Sequence, residues 1–209
     1  MKELDNIHWL GHSSFRIDTP EGLLIYIDPF HLPASVPKAD LLLCTHEHHD
    51  HCSPQDIDRL SGPDTYIIGP QGVAEKLTPR AVKIAGPFTA FSVYGVKVEP
   101  VPAYNIGKPY HSREMGHLGY IITVGNTRIY HAGDTDLIPE MKAIRADIAL
   151  LPVGGTYTMN PLEAAQAAAL IKPALAVPIH YGSHVGPREA GPEFAKLSIV
   201  PVKILPEER

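Results

Sequence analysis

The chain has 209 residues, 44% of them hydrophobic and 20% charged, which suffices for a buried core in one domain or two small ones and excludes a disordered chain. A formal net charge of −5 argues against a nucleic-acid partner, which ordinarily asks for a basic face. The 2 cysteines are too few for a disulfide framework, no apolar run reaches the ~20 residues of a membrane span, and the first residues show no apolar signal segment; one cytoplasmic domain over residues 1–209 is expected.

Short strand-like runs come first along the chain. Leu23 to Asp28, Ala39 to His46 and Thr65 to Gly69 each combine apolar residues with a turn signal at the end. Ser53-Pro54-Gln55-Asp56 then offers a helix N-cap, a proline at the first helical position and a carboxylate at the third. Phe91 to Ala103 reads as a bent pair broken at Gly95, and Gly119 to Asp134 as a hairpin whose Gly125-Asn126 suits the positive φ of a tight turn. Ala146 to Gly155 and Ala174 to Gly182 are continuous apolar runs, the pattern of strands buried on both faces. Between them Asn160-Pro161-Leu162-Glu163 opens an alanine-rich helix that ends before Pro173. A third helix is expected over Pro187 to Leu197, weakened by Gly191-Pro192. The pattern predicts an α/β fold with sheets inside and helices outside.

Thr45 to His51 reads THEHHDH, with 4 of the 12 histidines and an aspartate inside one loop. The loop follows a buried strand and precedes a helix, the edge at which α/β proteins place their sites. A loop can turn His46 and His48 toward one point, and Asp50 and His51 toward a second. Imidazole and carboxylate are the donors that borderline cations such as Zn²⁺ accept. A merely solvated histidine loop accounts poorly for this spacing at a strand end. Two further strand ends carry a matching residue, Asp134 in HAGDTD and His180 in PIHYG. Either alone reads as a turn aspartate or a core histidine; their recurrence at separate strand ends favours a shared cleft.

On these motifs, and on WLGHSSF, IDPF and PVGGTYTM, the chain resembles the metallo-β-lactamase-fold hydrolases, and within them the branch of L-ascorbate-6-phosphate lactonase-like proteins and the N-acylphosphatidylethanolamine-hydrolysing phospholipase D. The resemblance implies a four-layer αββα sandwich holding two divalent ions at one edge, zinc foremost, with manganese or iron as alternatives. It implies His46 and His48 on the first ion, Asp50, His51 and His180 on the second, and Asp134 as the bridge. The third histidine that usually completes the first position is missing, since Asn105 stands at the matching place. Asparagine is a poor zinc ligand, and His111, His117 and His12 are the candidates to replace it, with His111 favoured by its nearness in sequence. Asp28 resembles the aspartate that supports the histidine loop, and a plain strand-end turn explains it equally well. His49 is expected to face outward, His131 to be core or supporting, and Cys44 and Cys52 to pack.

The implied reaction is attack by a metal-activated hydroxide on a small ester, lactone or phosphodiester. Asp50 is both ligand and proton handler in that scheme. His12, Tyr104 and Tyr157 are possible donors to the substrate oxyanion, with His12 and Tyr157 the catalytic candidates beside Asp50. Two other classes stay open: a mononuclear iron enzyme using oxygen, and a metal-binding scaffold without catalysis. The apolar stretch around Trp9 is a candidate interface for a homo-oligomer.

Overall fold

A computed structural model describes residues 4–182 and 184–208. Two six-stranded sheets dominate it, ordered β1-β2-β3-β4-β5-β6 and β12-β11-β10-β9-β8-β7. The first contains β1 (Ile7–Gly11), β2 (Ser14–Asp18), β3 (Leu24–Ile27), β4 (Leu41–Leu43), β5 (Tyr66–Gly69) and β6 (Lys83–Ile84). The second contains β7 (Phe91–Val93), β8 (Val96–Pro102), β9 (Leu118–Val124), β10 (Thr127–His131), β11 (Ile148–Pro152) and β12 (Leu175–Ile179). Each sheet starts antiparallel and turns parallel, at β3–β4 in the first and at β10–β11 in the second. Parallel pairing puts several strand ends at one edge, which is where the histidine loop, Asp134 and His180 lie.

The period-2 alternation of side chains along a strand explains the layers. Ile25, Ile27, Leu41 and Leu43 join Val98, Tyr120 and Ile122 of the second sheet in one core. Their neighbours Tyr26, Leu42 and Ile67 face the other way, onto Ile57 and Leu60 of α1 (Pro54–Leu60). Each such buried side chain contributes about 1.5–3 kcal/mol. Alongside α1, α2 (Gln71–Lys76) contacts β5 and β6, and α3 (Pro161–Ile171) and α4 (Ala190–Leu197) cover β11 and β12 on the far side. Helix, sheet, sheet, helix is the expected sandwich.

Most expected elements are present. The Asn160 side chain accepts from Glu163 N at 3.0 Å while the Glu163 carboxylate accepts from Asn160 N at 2.8 Å, a complete capping box for α3. At α1 the Ser53 cap forms, yet the Asp56 carboxylate turns to the backbone N–H of His31 at 2.9 Å instead of back to the cap. The third helix begins at Ala190, three residues later than expected, with Pro192 in its first turn, where a missing N–H costs nothing. Gly191 permits this start because a Cβ there would lie 2.7 Å from the Tyr181 ring. Trp9 does not form an outer interface: it is buried, stacks on Tyr181 at 5.5 Å and donates its indole N–H to His12 O at 3.0 Å.

Candidate metal centre

The loop after β4 is held from beneath by one buried carboxylate. Asp28, fully buried, accepts from the Thr45 backbone N–H, the Thr45 hydroxyl and His51 Nδ1, each at 2.7 Å. Because the Thr45 hydroxyl donates to Asp28, its oxygen is free to accept from His46 Nδ1 at 3.0 Å. Those partners fix the tautomers. His46 and His51 spend their Nδ1 protons on this network and turn their Nε2 atoms to the cleft. Asp28 is therefore the loop's support and more than a turn residue.

Two clusters of lone pairs result. In the first, His46 Nε2 and His111 Nε2 lie 3.1 and 3.0 Å from His48 Nδ1. His111 Nδ1 faces the Tyr157 carbonyl at 3.2 Å and the Asn105 amide nitrogen at 3.3 Å; donation to the carbonyl leaves its Nε2 bare. Three ring nitrogens sharing at most one proton repel one another unless a cation lies among them. In the second, His51 Nε2 lies 3.2 Å from Asp134 Oδ1 and 3.9 Å from Asp50 Oδ2, and His180 Nε2 lies 3.0 Å from Asp134 Oδ2. His111 Nε2 is 3.5 Å from the same Asp134 oxygen, so Asp134 stands between the clusters. The buried atoms His51 Nε2, His180 Nε2 and Asp134 Oδ1 have no hydrogen-bond partner. Orphaned donors this close together fit a divalent transition ion at each point.

Electrostatics follows from this crowding. Burial lowers His46 well below the ordinary imidazole value and takes His111 and His12 down to about 4. Burial also works against a charged His51, yet Asp134 and Asp28 outweigh it and hold that imidazole well above its ordinary value. For Asp134 burial opposes ionisation, and His180 and His51 overcome it, keeping the carboxyl ionised well below the usual range. Asp50 is lowered too, with burial opposed by its bond from His12 and the charge of His51.

The geometry thus brings together His46, His48, Asp50, His51, Asp134, His180 and His111. His111 lies with His46 and His48. The Asn105 side-chain N–H donates to Tyr157 O at 2.7 Å and its backbone N–H to His111 O, also at 2.7 Å, so it shapes the loop that carries His111. His117 stacks on His46 at 4.7 Å and faces Glu47 at 3.4 Å, outside both clusters. Tyr104 cannot serve as an oxyanion donor, because its hydroxyl donates to Glu140 at 2.9 Å. His12 Nε2 is turned toward Asp50 Oδ2 at 3.2 Å, and the residue is buried beside the cavity. Tyr157 does line the cavity, a space of about 340 Å³ over the two clusters, with His48, Asp50, Asp134 and His180. His49 is exposed as expected, and His131 is buried with Nε2 donating to Ser13 O at 2.9 Å. Cys44 and Cys52 are free thiols packed in the outer core.

Tyr110 and His184 also line this cavity, and neither stands in a motif that marks it. A third unmarked feature is the Lys108 ammonium. It donates to Asp136, to Thr158 O at 2.7 Å and to Gly155 O at 3.4 Å, while Asp136 accepts from Ile106 N at 2.9 Å. That clip ties the loops of Asp134, His111 and Tyr157 together. Gly154 is required for a different reason: a Cβ there would lie 2.4 Å from His180 O.

A family model described as the beta-lactamase superfamily domain matches residues 6–180. A UPF0173 metal-dependent hydrolase of Thermococcus onnurineus is 36% identical, with 91% of each chain covered. The chain belongs to the UPF0173 metal-dependent hydrolase family of the beta-lactamase superfamily. Another UPF0173 member, from Methanopyrus kandleri, is 33% identical over 92% of this chain and 90% of its own. Among solved structures, a Parabacteroides distasonis protein superposes with a TM-score of 0.86 at 36% identity, covering 97% of this UPF0173 chain and 93% of its own. Igni18, a metallo hydrolase of Ignicoccus hospitalis, does so with a TM-score of 0.79 at 27% identity, covering 97% and 95%.

Proposed function

We propose that this protein hydrolyses a small ester, lactone or phosphodiester at a pair of divalent ions. The observation that carries the reading is the convergence of seven metal-type side chains, from the loops after β4, β8, β10 and β12, in overlapping groups at metal-ligand spacing beneath an open cavity of about 340 Å³. His46, His48 and His111 hold the first ion, Asp50, His51 and His180 hold the second, and Asp134 is shared. Zinc is the first choice for these donors, with manganese and iron as alternatives. When bound, such ions supply a nucleophile from water at neutral pH and a sink for negative charge on the reacting oxygen.

The chain's own groups supply the rest. Asp50 lines the cavity and contacts His12, so it can orient a water and take its proton while staying in place. Tyr157, packed edge-on against Tyr110 at 4.9 Å, is the donor to a substrate oxyanion. A cavity of this size fits a small molecule better than a structured polymer. The motifs WLGHSSF and PVGGTYTM support the lactonase-like and phospholipase-D-like branch as the first place to look for substrates.

The test is a panel of lactone, ester and phosphodiester substrates with the metal-loaded protein. Turnover should vanish with a chelator and return with one of the candidate metals. Asp134→Ala should abolish turnover and release both ions. Retention of one tightly held ion with activity largely intact would show that Asp134 does not bridge.

A further inference from the structure

We infer that His12 is a fifth protein ligand to the ion held by Asp50, His51, Asp134 and His180, an inference that rests on the two-ion reading above. His12 sits in the turn between β1 and β2 with φ 51°, a left-handed conformation that a side chain adopts only when its surroundings hold it there. Two donors hold it: the Trp9 indole N–H and the His180 backbone N–H both reach His12 O at 3.0 Å. The turn is thereby tied to the ligand His180, and the two rings stand 4.2 Å apart.

The ring points at the second cluster. His12 Nε2 is 3.2 Å from Asp50 Oδ2, and it lies in a group with Asp50, His51 and His180 whose ligand atoms are all within 4.8 Å of one another. With a side chain only 3% exposed, His12 borders a neighbouring hollow of about 360 Å³ beside Phe30, His31 and His184, not the cavity over the ions. Its ring nitrogen Nε2 is directed to Asp50. Three imidazoles and the Asp50 carboxylate share that group, and Asp134 adjoins it through His51 at 3.2 Å and His180 at 3.0 Å.

Five protein donors exceed the three or four of ordinary zinc positions, and an ion held by all of them would have room for few further ligands. The first cluster, with three imidazoles and a share of Asp134, stays at four. The two positions would thus differ in donor count, and the second would accept Mn²⁺ or Fe²⁺ more readily than the first.

The deciding experiment is a crystal structure of the full chain soaked with Mn²⁺ and, separately, Zn²⁺, with ions located by anomalous scattering. His12 Nε2 should lie within bonding distance of the second ion, roughly 2.0–2.3 Å. An ion held there by the other four residues, with His12 still hydrogen-bonded to Asp50 and beyond about 3 Å, overturns the inference and leaves the two-ion reading standing. A filled first point with no ion at the second overturns both. In solution, Co²⁺-loaded His12→Ala should absorb more strongly in the visible than the parent, because its second ion loses a ligand and moves toward tetrahedral geometry. An unchanged spectrum at full Co²⁺ occupancy contradicts the assignment.

Discussion

Asp28→Asn removes one charge and alters no shape, which makes it the sharpest probe of how the histidine loop is held. In the native protein Asp28 Oδ2 accepts from the Thr45 hydroxyl and from His51 Nδ1, both at 2.7 Å, while Oδ1 accepts from Thr45 N. An asparagine keeps the Oδ1 bond and puts an NH₂ where Oδ2 was. That group faces two donors in a fully buried setting. Two hydrogen bonds to a charged acceptor are worth about 1.5–3 kcal/mol each, and breaking one side of a buried charge pair costs about 3–5 kcal/mol. A loss near 4 kcal/mol is expected, which for a domain of this size lowers Tm by roughly 8–16 °C. To accept from the new NH₂, His51 must move its proton to Nε2, the atom facing Asp134 at 3.2 Å. Metal affinity at the second point should then fall by roughly 10–100-fold. Urea unfolding of the chelator-treated protein measures the first effect, and competition with a calibrated chelator measures the second. A variant within 1 kcal/mol of the parent that binds both ions normally would refute the reasoning.

His111→Ala should cost one ion of the two, with the His51 and His180 position retained, as read by elemental analysis after dialysis; equal loss of both ions contradicts separate points. Lys108→Met strips the clip from Asp136, Thr158 and Gly155 and, with Lys108 partly exposed, should destabilise by about 2 kcal/mol while weakening the first ion more than the second. Metal uptake at the second point should strengthen with rising pH, because Asp134 and Asp28 hold His51 protonated above the ordinary imidazole range and that proton must leave before Nε2 can bind. The same protonated His51 stabilises the metal-free fold below the unfolded imidazole value of about 6.5, and this contribution fades as pH rises through the raised folded value. Calorimetric titration in buffers of different ionisation heat counts the released proton, and a pH-independent affinity at that point rules the scheme out.

The parts of the site readable in the sequence are those encoded by spacing. His46, His48, Asp50 and His51 share one loop, and Asp134 and His180 each follow an apolar strand, so local pattern and strand-end position sufficed. His111 was reachable only because Asn105 left a ligand position without a histidine. The N-terminal hairpin escaped because His8, His12 and two serines interrupt its alternation, and its turn depends on positive φ at Gly11 and His12. Helix α2 begins at Gln71 behind Pro70, which offers no side-chain cap, so no start signal marks it. The Lys108–Asp136 clip and the contacts of His184 join residues from distant loops, and no local periodicity encodes such meetings.

The ligands belong to both sheets: His46 and His48 follow β4 of the first, while Asp134 and His180 follow β10 and β12 of the second. An ion held between them is a cross-link that the unfolded chain cannot offer. Each ion at a free concentration one hundred times its Kd adds about 2.7 kcal/mol to the folded state, and two add a large part of the 5–15 kcal/mol that ordinarily separates folded from unfolded protein. Lifetime in the cell then depends on metal supply. Under metal starvation the chain would open more often and proteases would clear it faster, so its abundance would fall together with its activity.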